Sequence, residues 1–379
     1  MNVRMFAIPP LEQDNRMVFR ATIGVVPAYM AAIAVAEALG LLLGVVAGVL
    51  AHCILLPLLL SHYVLADRAS YRRVLPVLAL APLLRILSVT MPIRQVPQMY
   101  WYAIVGVPLL AAVGLTVRLL NLSWPDMGLH VRSWPPQILI ACTGLPLGIA
   151  TFFILRPRPL LAVFNWRDAI IAAAILLIFT GFTEELIFRG LLQQLTGEVY
   201  GRASVLCSSI LFVIMYTRSP SFGYLLFIGL LGLFFGWCVN RTGSIWGVIL
   251  AHGILNIALF LILPYASDGP APATTTIVLW LLWGGVAIAV IALGVLAFSA
   301  GIILQPYRAP ATPTNELRAL RRSRGLSYVE LARRTGLPAR RLAEIEHGLR
   351  PVVPEHLGLI ARTLGVTPQL LSPVTWQNQ

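Results

Sequence analysis

The sequence predicts an all-α chain in two parts: a polytopic transmembrane helix bundle of about ten spans, then a small soluble five-helix unit. Three observations predict it. Of 379 residues, 58% are hydrophobic and 11% charged, with a mean hydropathy of +0.82, whereas soluble globular proteins carry roughly 25% charged residues. The apolar residues fall in successive windows close to the ~20 residues that a spanning helix needs. The last 75 residues break this pattern, holding 11 Arg and 5 acids against 17 Arg and 10 acids in residues 1–304, so they supply nearly half of the +13 net charge.

This balance excludes an ordinary soluble enzyme, a disordered chain and a disulfide-built scaffold. Cys53, Cys142, Cys207 and Cys238 all sit inside apolar runs and read as small packing residues, neither bridges nor zinc ligands. Spans are expected near 21–39, 41–62, 74–92, 99–120, 136–155, 169–193, 203–216, 222–239, 243–263 and 276–304. Only Gly40 marks a break between the first two, and 203–216 is short. Met1–Arg20 carries acids as well as Arg, and no small-residue cleavage site follows the first apolar run, so no removable signal peptide is expected.

Ten spans put both termini on one side. With the termini inside, the inner segments ahead of the tail hold ten Arg and the outer ones five (Arg94, Arg156, Arg158, Arg167, Arg218), which favours cytoplasmic termini. The expected organisation is a cytoplasmic segment 1–20, a membrane domain 21–304, a Pro-rich linker 305–314, a soluble domain 315–372 and a tail 373–379.

Charged groups inside spans cost about 2.5–3.5 kcal/mol each on insertion scales, so each needs a reason. The densest group is Glu184-Glu185-Leu186-Ile187-Phe188-Arg189. Glu185 and Arg189 are i,i+4 and can pair, while Glu184 points about 100° away. One carboxylate is then neutralised and the other stays desolvated, the state suited to a general base on water. The same residues would also serve as a salt-bridged packing motif. In the 243–263 span, His252 and Asn256 are again i,i+4, two hydrogen-bond donors aimed one way, as an oxyanion requires. Glu37, His52 and Arg85, in the first three spans, are expected to pair with one another for structural reasons.

Together, Glu184-Glu185-x-x-x-Arg189 and His252-x-x-x-Asn256, approached by Gly243-Ser244-Ile245-Trp246-Gly247, resemble the CPBP family of intramembrane proteases, the type II CAAX prenyl endopeptidases and their bacteriocin-processing relatives. The resemblance covers about residues 165–263. It implies that Glu184 activates water, that Glu185 and Arg189 support it, and that His252 and Asn256 stabilise the oxyanion. The family's Phe-x-x-x-His motif reads Phe212-Val213-Ile214-Met215-Tyr216 here, so Tyr216 stands where the motif has His. A phenol with a pKa near 10 is a poor base at neutral pH, and Tyr216 is expected to hold the water while Glu184 works alone. There is no His-Glu-x-x-His, so a metal-free mechanism is expected, with zinc on the two Glu and one His as the minor alternative.

The C-terminal stretch is punctuated as short amphipathic helices. Ser327-Tyr328-Val329-Glu330 reads as a capping box, Gly336 as a stop and Pro338 as a helix start. Two helices of about eight residues joined by a Gly-containing turn make a helix-turn-helix. Leu317–Leu371 resembles the Cro/repressor-type (XRE) family through Gly325-Leu326-Ser327, Glu330-Leu331-Ala332, Gly336-Leu337, Ile345-Glu346-x-Gly348 and Ile360-Ala361-x-x-Leu364-Gly365-Val366. The resemblance implies a recognition helix at 338–346, with Ala339, Arg340 and Glu344 at base-reading positions, and Arg341 and Arg350 on phosphates. Operator binding would need a homodimer; a protein target is the alternative.

Two functions follow from these resemblances. One is a bacterial inner-membrane endopeptidase cleaving a membrane-associated peptide near the cytoplasmic face, coupled to a DNA-binding domain. The other is a catalytically dead sensor or scaffold that signals through the helix-turn-helix.

Overall fold

The computed structural model describes residues 12–66, 71–91, 93, 95–131, 133–218, 221–267, 313–346 and 354–371. The predicted span 276–304, most of the 305–314 linker and Arg350 lie outside these. Among the described residues every regular element is helical. The membrane domain runs α1 (Glu12–Leu42), α2 (Val45–Leu65), α3 (Arg72–Thr90), α4 (Gln98–Leu119), α5 (Trp134–Leu155), α6 (166–200), α7 (Ser204–Met215), α8 (Phe222–Thr242) and α9 (Trp246–Tyr265).

Length and apolarity qualify eight of these helical stretches to cross a membrane, the 166–215 stretch counting as one. That stretch folds back at Gly201, whose φ of 58° suits glycine, and Ser208 Oγ on α7 donates to the Phe188 carbonyl on α6 at 2.7 Å. A two-sided sequence pattern seats each helix. On α2, Gly48, His52, Leu55 and Leu59 are buried, while Leu50, Ile54 and Leu58 stand 50–67% exposed one turn apart. Such a continuous apolar stripe fits lipid, not water. The chain is a multi-pass membrane protein.

The break between α1 and α2 falls at Leu43–Gly44, not at Gly40. Gly44 adopts φ +100°, and Gly40 instead lies inside α1 against Gly48 of α2, where an added Cβ on Gly48 would come 2.6 Å from the Gly40 Cα. Small residues let these two helices cross closely.

The loops alternate between two faces. Ile245 N donates to the Gly128 carbonyl at 3.0 Å and Arg73 pairs with Glu198 at 3.2 Å, which puts the loops after α2, α4, α6 and α8 on one face. Leu160 N donates to the Phe260 carbonyl and Arg218 approaches Glu37 at 3.6 Å, on the other.

The C-terminal unit consists of α10 (Pro313–Ser323), α11 (Tyr328–Thr335), α12 (Ala339–Glu346), α13 (Pro354–Leu364) and a 3-10 turn at Pro368–Leu371. Leu317, Leu331, Leu342, Ile345, Ile360 and Leu364 form its core. The capping box forms by half: Ser327 Oγ accepts from Glu330 N at 3.1 Å, but the Glu330 carboxylate turns to Arg333 and Arg334, whose hydrogen bonds hold it down to about 2. This unit touches the Gly128 and Glu198 face of the bundle through Arg318–Asp126 at 3.1 Å and Arg322–Glu198 at 2.6 Å.

Inside the unit, Glu346 is buried and takes Arg321 Nε at 2.7 Å, Arg321 Nη2 at 2.9 Å and Arg318 Nε at 3.0 Å. Burial alone would raise the Glu346 carboxyl, but the Arg321 hydrogen bonds and the charges of Arg321 and Arg318 outweigh it, leaving the group below its usual range. A carboxyl lowered on folding adds stability above the unfolded value of about 4.3, and that stability is lost as pH falls through the folded value. Amide protection of α10 and α12, relative to the unfolded chain at the same pH, should therefore fall below pH ~4 in the full-length protein, and Glu346→Gln should flatten that acid dependence.

Candidate functional site

The helix that carries the paired glutamates is not regular. Residues 176–182 and 186–193 are π-helical, on either side of Thr183–Glu185. Thr180 Oγ1 donates to the Leu176 carbonyl and Thr183 Oγ1 to that of Ile178 at 2.9 Å, so hydroxyls supply donors where the widened turn loosens the backbone ladder. Stretches of this kind cluster at functional sites. Gly181 brings the helix against α9: a Cβ there would lie 2.9 Å from the Ile249 carbonyl oxygen and 3.0 Å from Gly253 N. Both obstacles are backbone, so Gly181→Ala should cost about 1–3 kcal/mol, read as a lower melting temperature in detergent.

That contact sets the two polar stretches face to face. Glu185 Oε1 accepts from Arg189 Nη1 at 2.9 Å and lies 2.8 Å from His252 Nδ1. All three residues are buried, Glu185 and Arg189 completely. With Arg189 beside it Glu185 is the acceptor, so Nδ1 of His252 carries the hydrogen. Arg189 also lies 4.5 Å over the Phe212 ring, and His252 sits between Phe212 and Phe235, at 6.3 and 6.1 Å. In these apolar surroundings the network is held by its own hydrogen bonds and ring contacts.

Glu184 stands apart from the pair. Its Oε2 accepts from the Tyr216 hydroxyl at 2.9 Å. Glu184, Tyr216, Thr180 and Tyr102 line both of two adjoining cavities. The smaller, about 110 Å³, also has His252 and Asn256 in its wall. The larger, about 310 Å³, reaches Arg85 on α3. Asn256 Nδ2 donates to Thr180 Oγ1 at 2.9 Å, a partner that sequence reading missed because a threonine in an apolar run carries no signal.

The structure thus brings Glu184, Tyr216, His252 and Asn256 to one cavity and puts Glu185 and Arg189 behind it. Among the described residues no cluster of three or more His, Cys, Asp or Glu side chains is arranged to hold a metal ion. Along α6, Glu184 lies 18 residues from Trp166 and 16 from Tyr200. The site is therefore near the middle of α6, which runs seven residues past the expected end at 193.

Of the residues predicted to face DNA, Ala339, Arg340, Arg341 and Glu344 lie on α12, and Arg341 is half-buried. The side chains of Ala339, Arg340 and Glu344 are outside the described residues.

Residues 166–258 match the family model described as type II CAAX prenyl endopeptidase Rce1-like, and residues 317–371 match a helix-turn-helix model. Comparison with curated proteins and with solved structures finds no match. The first match spans the π-helical stretches, both glutamates, Tyr216, His252 and Asn256, and the second spans the five-helix unit. The chain therefore carries a membrane-embedded Rce1-like CAAX protease domain followed by a helix-turn-helix domain.

Proposed function

We propose that the chain is an intramembrane endopeptidase that hydrolyses a membrane-associated peptide by glutamate-activated water. The observation that carries this reading is a carboxylate, Glu184, in the wall of a cavity shared with two donors on another helix, His252 and Asn256. Glu184 takes a proton from water, and the hydroxide adds to the scissile carbonyl. His252, doubly protonated and held by Glu185 through Nδ1–H, donates its Nε2 hydrogen to the oxyanion. Asn256 offers the amide hydrogen that Thr180 does not use. The proton on Glu184 then passes to the leaving amine as the C–N bond breaks. Tyr216 steadies Glu184 and takes no proton.

Cleavage at mid-helix depth is the expectation from the position of Glu184. Both termini belong on the cytoplasmic face of a bacterial inner membrane. This is supported by the arginine excess of the loops and by the helix-turn-helix touching the face where α1 begins. A basic helix-turn-helix suits DNA, bound as a homodimer.

A second reading, a non-catalytic sensor that signals through the helix-turn-helix, is favoured by one observation: Tyr216 stands in place of the motif His. Peptide termini in membrane fractions from cells carrying wild type, Glu184→Gln or no protein decide between them. Termini that appear only with the wild type support the peptidase. If wild type and variant share all termini yet both differ from the null strain in transcripts, the sensor reading holds.

A further inference from the structure

The three N-terminal helices lie outside the stretch that matches the protease family, yet a chain of contacts links them to Glu184. Glu37 on α1 is buried. Arg85 on α3 donates from Nε to Glu37 Oε1 at 2.6 Å and from Nη2 to the Met215 carbonyl at 2.7 Å. His52 on α2 and Arg218 flank the same carboxylate at 3.3 and 3.6 Å. Met215 is the last residue of α7, and the next residue, Tyr216, holds Glu184.

Helix termini leave their last four carbonyls without an intrahelical partner. Inside a membrane no bulk water replaces it, and a cation there also complements the helix dipole. Arg85 fills this place with one arm while Glu37 holds the other. An ion pair serving stability alone needs only the Glu37 arm. The second arm is what reaches the residue next to Tyr216, and Arg85 also shares the wall of the 310 Å³ cavity with Glu184 and Tyr216.

We propose that Arg85 is a positioning residue: anchored by Glu37, it caps α7 at Met215 and thereby fixes Tyr216 against Glu184. The N-terminal helices are then part of the site, not only its packing. The consequence for turnover rests on the peptidase reading; the geometric claim does not.

The test uses full-length protein in lipid nanodiscs with 3-fluorotyrosine at all tyrosines and ¹⁹F NMR. The Tyr216 resonance is assigned by its loss in Tyr216→Phe, and its displacement on Glu184→Gln measures the Tyr216–Glu184 coupling. Glu37→Gln with Arg85→Gln removes both buried charges together and should cut that displacement by at least half. The Tyr29 and Tyr71 resonances, from a cluster around His62, should stay unmoved. Arg85→Lys keeps the charge for Glu37 but lacks the planar second arm, so it too should lose the coupling, and it serves if the double variant does not fold.

Full coupling in either folded variant overturns the proposal, as does a wild-type Tyr216 resonance indifferent to Glu184→Gln. The coupling is read without substrate, so if it behaves as expected while the membrane-termini comparison finds no cleavage that depends on Glu184, the proposed function falls and this inference stands. Where cleavage is found, Arg85→Lys should lower kcat about tenfold, the size of a ~1.4 kcal/mol change in the barrier, with KM changed less than twofold.

Discussion

Replacing Arg189 by Met is expected to destabilise the membrane domain by about 3–5 kcal/mol, the cost of leaving a buried partner charge unpaired. Glu185 and Arg189 have no exposed surface. The carboxylate keeps only His252, while Oε2 already lacks a hydrogen-bond partner in the described structure. Met replaces the bulk of the side chain, so the loss reports charge and hydrogen bonding more than a void. The double change Glu185→Gln with Arg189→Met should recover most of the stability, since a buried pair replaced as a whole is often neutral. Thermal unfolding of the purified protein in detergent reads both. A single Arg189→Met that melts with the wild type would show that the pair does not stabilise the membrane domain.

Glu184→Gln should leave folding unchanged and lower peptide hydrolysis by about 10²–10⁴-fold, the range of a positioned general base. The amide oxygen can still accept from Tyr216, so the cavity wall is kept while proton abstraction is lost. The Tyr216 series gives the complementary result. Tyr216→Phe removes the hydrogen bond at 2.9 Å and should slow the reaction by less than Glu184→Gln does. Tyr216→His restores a side chain that can exchange protons near neutral pH and should raise the rate. Steady-state assays on a peptide identified from membrane termini check all three, and equal rates for wild type and Glu184→Gln would sink the glutamate mechanism.

The local pairings were legible because helical spacing alone brings their members together: Glu185 with Arg189, and His252 with Asn256 on one cavity wall. The start and stop signals of the C-terminal unit were legible because they too act locally, Ser327 through a side chain that accepts from Glu330 N and Gly336 through its positive φ. Sequence grouped Glu37, His52 and Arg85 as ionisable groups in the first three spans without assigning which pairs with which, because charges in apolar spans need partners. It did not show that Arg85 also reaches Met215. The π-helical turns were hidden, because no residue type encodes them.

By itself the sequence determined the membrane bundle, the separate basic domain and the short list of ionisable groups that a bilayer forces into pairs. Composition and a period of 3.6 act on each segment independently of the others, so no tertiary information is needed to read them. Only the tertiary structure decided which glutamate belongs to His252, which to Tyr216, and that the first three helices reach the site. Those contacts join residues 67, 32 and 130 positions apart. Their distances are set by where glycines let helices touch and by how each helix turns its polar side away from lipid.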